Sequence, residues 1–277
     1  MDGIRESAVA GSFYPGNPEV LRIDVKGYLD KVSLQDAPGN IVGLISPHAG
    51  YMYSGQTAAY GYKALSGATY DTVVIVAPSH QSFFLGTAVQ EKGAYRTPLG
   101  MVPIDEELAK ELIGSGEVVH EDRRAHRGEH SIEVQLPFLQ TVLTEFKMVP
   151  LIMGASQDPD ASDRLANAIY QCVKDKDKRY LILGSTDLSH YYPYSLAVEM
   201  DRAAIGLLEA FDVEGMIREL SRGKYEACGA GPLISTMIVS KMLGARHARA
   251  LKYMNSGDVT GDMDSVVGYV SCVFYGE

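Results

Sequence analysis

Three apolar runs in this chain each lead to a histidine, and that recurrence constrains the fold more than any other feature. IVGLIS (41–46) empties into Pro47, His48 and Ala49, TVVIVA (72–77) into Pro78, Ser79 and His80, and RYLILGS (179–185) into a segment carrying Asp187 and His190. Runs of this length, rich in β-branched residues, are those of strands covered on both faces, as in a parallel sheet between helices. Pro and Gly residues stop them. Ligands of open α/β sheets bind beyond the carboxyl ends of the strands, so neighbouring strands would bring the three histidines to one pocket. A single histidine in such a loop is more often a hydrogen-bonded loop residue; three alike, out of seven, point to a site.

The text between these runs reads as helices and edges. Asn17 and Pro18 are cap and first residue of a helix reaching about residue 32, and APGN (37–40) breaks it from the first strand. Ser54 is read as the cap of the next helix, whose Gly55, Ala58, Ala59 and Gly61 let it lie close to the sheet. Residues 84–104 read as a hairpin or edge ribbon, and Asp105 caps EELAKELI. Pro137 predicts a kink or late start in SIEVQLPFLQTVL. KMVPLIMG is a further strand, and Asp158 caps a helix that opens on Pro159. Helices at about 195–210, 213–221 and 230–243 and strands near 247–255 and 265–275 complete the chain. With no repeat or linker to divide it, one α/β domain over 1–277 is expected, long enough to bury a sizeable core.

A net charge of −10 argues against nucleic acid or an anionic membrane as partner, since either calls for a basic patch. Cys172, Cys228 and Cys272 are odd in number and far apart, which is not a disulfide framework and fits a reducing, cytoplasmic setting. No stretch approaches the roughly 18 apolar residues of a membrane span, and the opening residues lack the apolar core of a signal peptide. A soluble cytoplasmic protein is the expectation.

The chemistry-bearing residues extend beyond the histidines. Cys228, in EACGAGPLIST, stands ahead of a helix whose N-terminus favours a thiolate, although a buried structural thiol is as ready a reading. Imidazole with thiolate suits zinc, iron or copper. Asp187 can hold an imidazole in one tautomer or cap a turn. His130, in GEHSIEVQ with Glu133 nearby, is a candidate pocket residue. Tyr51, Tyr53, Tyr191 and Tyr192 can receive an aromatic ring or simply pack a rim. Arg123, Arg124 and Arg127 could greet an anion, though a solvated charge run is the commoner case. Asp258, Asp262 and Asp264 miss the calcium-loop pattern, and NSGDVTGDMD reads as a glycine-rich turn near the pocket. His120, His247, Cys172 and Cys272 have no partner pattern.

Taken together, AVAGSFYPG, SPHAGYMYSG, APSH, EHSIEVQLPFL, STDLSH, CGAGPL and NSGDVTGDMDSVVGY resemble the Memo family, the middle member of the AmmeMemoRadiSam system, over nearly the whole chain. The resemblance implies the class III extradiol dioxygenase-like fold, a mixed central sheet with helices on both faces. In those dioxygenases two histidines and a glutamate hold iron(II) and a further histidine is the acid/base. By similarity His48 and His80 take the histidine-ligand positions, Cys228 stands in place of the glutamate, and His190 takes the acid/base position. The cysteine departs from the ring-cleaving pattern and argues against catechol cleavage. The family association with iron or copper implies a metal cofactor, with zinc as another option, and the companion proteins of the three-member system as partners. The expectation is a metal-dependent redox or oxygenase-like protein acting on an unknown small molecule. Two alternatives are a hydrolase with Cys228 as nucleophile and a protein- or peptide-binding module with a vestigial site.

Overall fold

The computed structural model describes residues 3–34, 39–116, 118–154 and 160–277. Its strands are β1 (Ile4–Arg5), β2 (Ile41–Ser46), β3 (Thr72–Pro78), β4 (Thr87–Val89), β5 (Ala94–Thr97) and β6 (Gly100–Pro103). They continue with β7 (Val119–Glu121), β8 (Lys147–Met153), β9 (Tyr180–Ser185), β10 (His190–Tyr192), β11 (His247–Asn255) and β12 (Val266–Tyr275). The helices are α1 (Pro18–Asp30), α2 (Tyr51–Ala64), α3 (Glu106–Gly114), α4 (Arg123–His126) and α5 (Leu136–Val142). After them come α6 (Ala161–Val173), α7 (Tyr194–Glu209), α8 (Val213–Ser221), α9 (Ala230–Met242) and α10 (Ser256–Thr260).

Nine strands form one mixed sheet in the order β10-β12-β2-β9-β3-β8-β4-β7, with β11 also paired to β12. The centre, β2-β9-β3-β8, is parallel throughout, and β12 and β4 close it antiparallel on either side. β9 therefore lies between β2 and β3, which makes the three histidine-bearing strands neighbours. Every residue of β3 and β9 is buried, as their unbroken apolar text requires.

Successive side chains on β2 face opposite layers. Leu44 meets Gly61 of α2, whereas at Gly43 an added Cβ would lie 2.1 Å from Ser240 Oγ of α9. Helices thus cover both faces, α2 with α1 and α5 on one and α9 with α6 and α8 on the other. The arrangement is a single α/β domain and agrees with the dioxygenase-like sheet expected from the motifs.

Several local expectations change. The second helix starts at Tyr51 after Gly50, and Ser54 sits inside it with its hydroxyl on Ala49 O, because the chain turns directly out of β2. Only part of 84–104 is a hairpin; β5 and β6 join β1 in a separate three-stranded sheet while β4 enters the main one. NSGDVTGDMD opens with α10, held by a capping box between Asn255 and Asp258, rather than a plain turn. Asp105 and Asn17 do cap their helices. Asp158 and Pro159, and Ala37 and Pro38 of APGN, lie outside the described residues. No described helix is long and apolar enough to cross a membrane.

Candidate metal centre

His48 leaves β2 two residues beyond its end and turns back over the carboxyl edge of the sheet, where it is 2 % exposed. Its Nδ1 lies 2.8 Å from Ser185 Oγ, the last residue of β9. Ser185 spends its one hydroxyl proton on Ser131 O, at 2.7 Å, so its oxygen accepts from the ring, and Gln135 donates to the same oxygen. That assignment makes Nδ1 the protonated nitrogen of His48 and leaves an Nε2 lone pair. The lone pair faces Cys228, whose Sγ is 3.1 Å away.

His80 is oriented by a different device. Its Nδ1 meets Glu129 Oε1 at 3.0 Å and its backbone N–H donates to Glu129 Oε2, so its Nε2 is also free to coordinate. The same carboxylate accepts from the backbone of His130 and Ser131, and His130 Nδ1 lies 3.3 Å from it. Burial alone would raise Glu129, but these hydrogen bonds hold it well below the usual carboxylate range. His130 stacks on His80 with ring centres 4.7 Å apart.

Cys228 is placed by the loop entering α9. Its Sγ accepts from Asp187 N at 3.3 Å, and its own N–H donates to Asp187 O. Gly229 follows because a Cβ there would lie 2.3 Å from Ser185 O. Burial, with Asp187 adding to it, pushes the Cys228 thiol up to about 12. Burial likewise raises Asp187 to about 7 and holds His48 well below the usual imidazole range.

Among the described residues, two groups could hold a metal ion, with ligand atoms within 4.8 Å of one another: His48, His80 and Cys228, and His80, Glu129 and His130. An ion with bonds of roughly 2.0–2.3 Å spans at most about 4.6 Å between opposite ligands, so the first set needs only small side-chain adjustment. In the second, Glu129 is already filled by backbone N–H groups and acts as an orienting carboxylate. With both Nδ1 atoms engaged, the two Nε2 atoms and the sulfur are the donors that remain, a set that fits a transition metal.

The other sequence candidates divide. His190 lies on β10 rather than in the exit loop of β9, paired to β12 through a register irregularity, and it lines the same cavity of about 810 Å³. Burial lowers its pKa. His130, Tyr53 and Tyr191 line the cavity too. Tyr51 does not. It is 4 % exposed, packs against Phe138 and donates to Val134 O, because neighbours two apart on a helix point to opposite sides. Asp187 was expected to fix an imidazole tautomer; Ser185 does that for His48, while Asp187 accepts from the His48 backbone N–H. Asp187 Oδ2 instead lies 4.0 Å from Nε2, the nitrogen that faces the sulfur. Tyr192 turns to Glu226, and the exposed Arg124 pairs with Asp122, the cap of α4.

Ser185, Glu129 and Gln135 escaped the sequence reading. Glu129 precedes a histidine already singled out, and that adjacency was the available signal. Ser185 and Gln135 carried none. Glu133, noted beside His130, lies outside the cavity; its carboxylate pairs with buried Arg5 and accepts from Tyr14 Oη and the N–H groups of Ala8 and Val9.

An α/β sheet with a histidine–cysteine cluster at its carboxyl edge defines the class, a candidate metalloprotein of the doubly covered type. Residues 5–273 match the family model described as Memo-like protein. The chain is 42 % identical to a MEMO1 family protein of Methanopyrus kandleri over 279 residues, 98 % of each chain. It is 40 % identical to one from Sulfolobus acidocaldarius over 283 residues, 98 % of this chain and 99 % of the other. The chain belongs to the Memo family. Its fold is also that of an uncharacterized protein of Escherichia coli K12, with a TM-score of 0.57 at 13 % identity over 85 % of this chain and all of the other.

Proposed function

We propose that this Memo-family protein holds a redox-active metal ion, iron or copper, through His48 Nε2, His80 Nε2 and Cys228 Sγ, and acts on a small molecule in the adjoining cavity. The observation that carries the reading is the directed donor set: Ser185 and Glu129 occupy the two Nδ1 positions, which leaves both Nε2 atoms with the sulfur to face one point. When bound, such a metal supplies one-electron chemistry. The chain's own part is to bind, orient and move protons. His190, kept neutral by burial, is placed to accept a proton from a ligand in the cavity. Asp187, beside the sulfur and His48 and raised by burial to about 7, would be held in its charged form by a cation bound there.

Anaerobic purification and elemental analysis test the proposal. The expected result is close to one equivalent of iron or copper, lost in Cys228→Ser; less than about a tenth of an equivalent, unchanged in the variant, sinks it.

The 3.1 Å contact between Cys228 and His48 also resembles a nucleophile with its base. Burial of the thiol weighs against that reading, because a nucleophile needs its thiolate. Rapid stoichiometric alkylation of Cys228 in metal-free protein, unaffected by added metal, would decide for it.

A further inference from the structure

Arg123, Arg124 and Arg127 line a second cavity, of about 600 Å³, together with Arg5 and Glu6. It shares no lining residue with the cavity at the carboxyl edge of the sheet. Four arginines there meet one carboxylate, on a chain whose net charge is −10. A recess lined by one sign of charge focuses its field on whatever enters.

The arginine-bearing turn is firmly placed. Asp122 caps α4 through Arg124 N at 3.0 Å and donates its own N–H to Val89 O, while Ala125 and His126 are buried beneath. Arg127 keeps helical dihedrals, φ −60° and ψ −43°, so Arg123 and Arg127 are neighbours four apart on one exposed face. Their partners set them apart from the rest. Arg124 pairs with Asp122, and Glu6 is engaged by Arg96 at 3.1 Å. Among the described residues no carboxylate pairs with Arg123 or Arg127. Behind them Arg5 is 5 % exposed and fixed on His126 O, Glu129 O and Glu133. Those bonds use three of the five N–H donors of a guanidinium, so two stay uncommitted.

Two unpaired guanidinium groups side by side, backed by a third, match an anion of several oxygens and more than one charge. A carboxylate offers two oxygens to one fork; a phosphoryl group offers three and carries the larger charge. The recess is wider than a single phosphate, and Ile4 is the one apolar residue of its lining, so a second phosphoryl group suits it better than an apolar body.

We infer that this cavity is a diphosphate-binding site, with Arg123 and Arg127 on the phosphoryl groups and Arg5 donating from its floor. The group is either free pyrophosphate or the tail of a nucleoside diphosphate, which present the same chemistry to the arginines. The inference is independent of the metal proposed at the carboxyl edge.

Calorimetric titration of the full chain with pyrophosphate, orthophosphate, malonate and ADP tests it, at about 50 mM sodium chloride, where screening is modest. Pyrophosphate is expected to bind at least about fivefold tighter than orthophosphate, and malonate more weakly than pyrophosphate. ADP tighter than pyrophosphate makes the source a nucleotide; ADP equal or weaker makes it the free anion. The double variant Arg123→Gln/Arg127→Gln should lose at least about tenfold in pyrophosphate affinity, whereas Cys228→Ser should stay within about twofold of wild type. Should the double variant fail to fold, the wild-type chain decides: pyrophosphate must shield Arg123 and Arg127 from phenylglyoxal, read by mass spectrometry of the peptides. No heat from pyrophosphate at millimolar concentration, malonate as tight as pyrophosphate, or unchanged affinity in the double variant reduces the arginines to a solvated face and overturns the inference. Binding lost in Cys228→Ser but kept in the double variant overturns it too, by moving the anion to the carboxyl edge.

Discussion

The two histidines that face the sulfur are held by unlike supports. His48 sits in a fully buried half, its rear nitrogen on the neutral hydroxyl of Ser185 in a chain that runs on to Gln135 and Ser131. His80 sits in a half-exposed half, its rear nitrogen on the carboxylate of Glu129. A carboxylate strengthens an imidazole as donor to a cation, while a hydroxyl fixes its orientation without adding charge. For the proposed metal, the difference would put affinity on the His80 side and rigid placement on the His48 side. Beneath the His80 side lies a second buried acid, since Arg5 joins the Glu133 carboxylate to the backbone carbonyls of Glu129 and His126.

That comparison can be broken in several places. The largest effect is expected from Glu133→Ala, which strands the Arg5 charge in the interior and releases the segment around Ala8 and Tyr14; urea unfolding should show a loss of about 3–5 kcal/mol. Gly229→Ala drives a methyl group against the Ser185 carbonyl on the His48 side, and denaturation should show a loss of about 1–3 kcal/mol. A neutral Gly229→Ala would mean that the close approach can relax. Glu129→Gln keeps the shape of the support and removes its charge, so metal affinity in competition with a chelator should fall about 10–100-fold. Ser185→Ala should cost less, about 2–10-fold, since the hydroxyl's bonds to His48, Gln135 and Ser131 are all between neutral groups. If Ser185→Ala proves the more damaging of these last two, the hydroxyl side carries the affinity and the assignment of the two halves reverses.

The legible part of the site was the part carried by strands. IVGLIS, TVVIVA and RYLILGS could be read as buried strands because a doubly covered strand leaves an uninterrupted apolar record. His48 and His80 follow those records directly, and β9 between β2 and β3 brings their exits together. Tyr51 was misplaced because nearby motif residues on one helix turn point in different directions, and α2 starts four residues earlier than a cap at Ser54 would have it. Ser185 and Gln135 were missed because a serine at a strand end and a glutamine in a helical stretch have many uses, and only their contacts distinguish them. Asp187 was recognised, yet its backbone bond to His48 depends on how two loops pack, which spacing does not encode.

The sequence by itself determined a single α/β domain, membership of the Memo family and the residues from which a metal centre can be built, since periodicity, capping residues and motif order are local properties of the chain. Tertiary structure alone decided which nitrogen of each imidazole is turned outward, which carboxylate supports which ring and which charges face the cavity. Those properties depend on groups as far apart as His48 and Cys228, and only the packing of the strand exits against the start of α9 brings them within 3.1 Å.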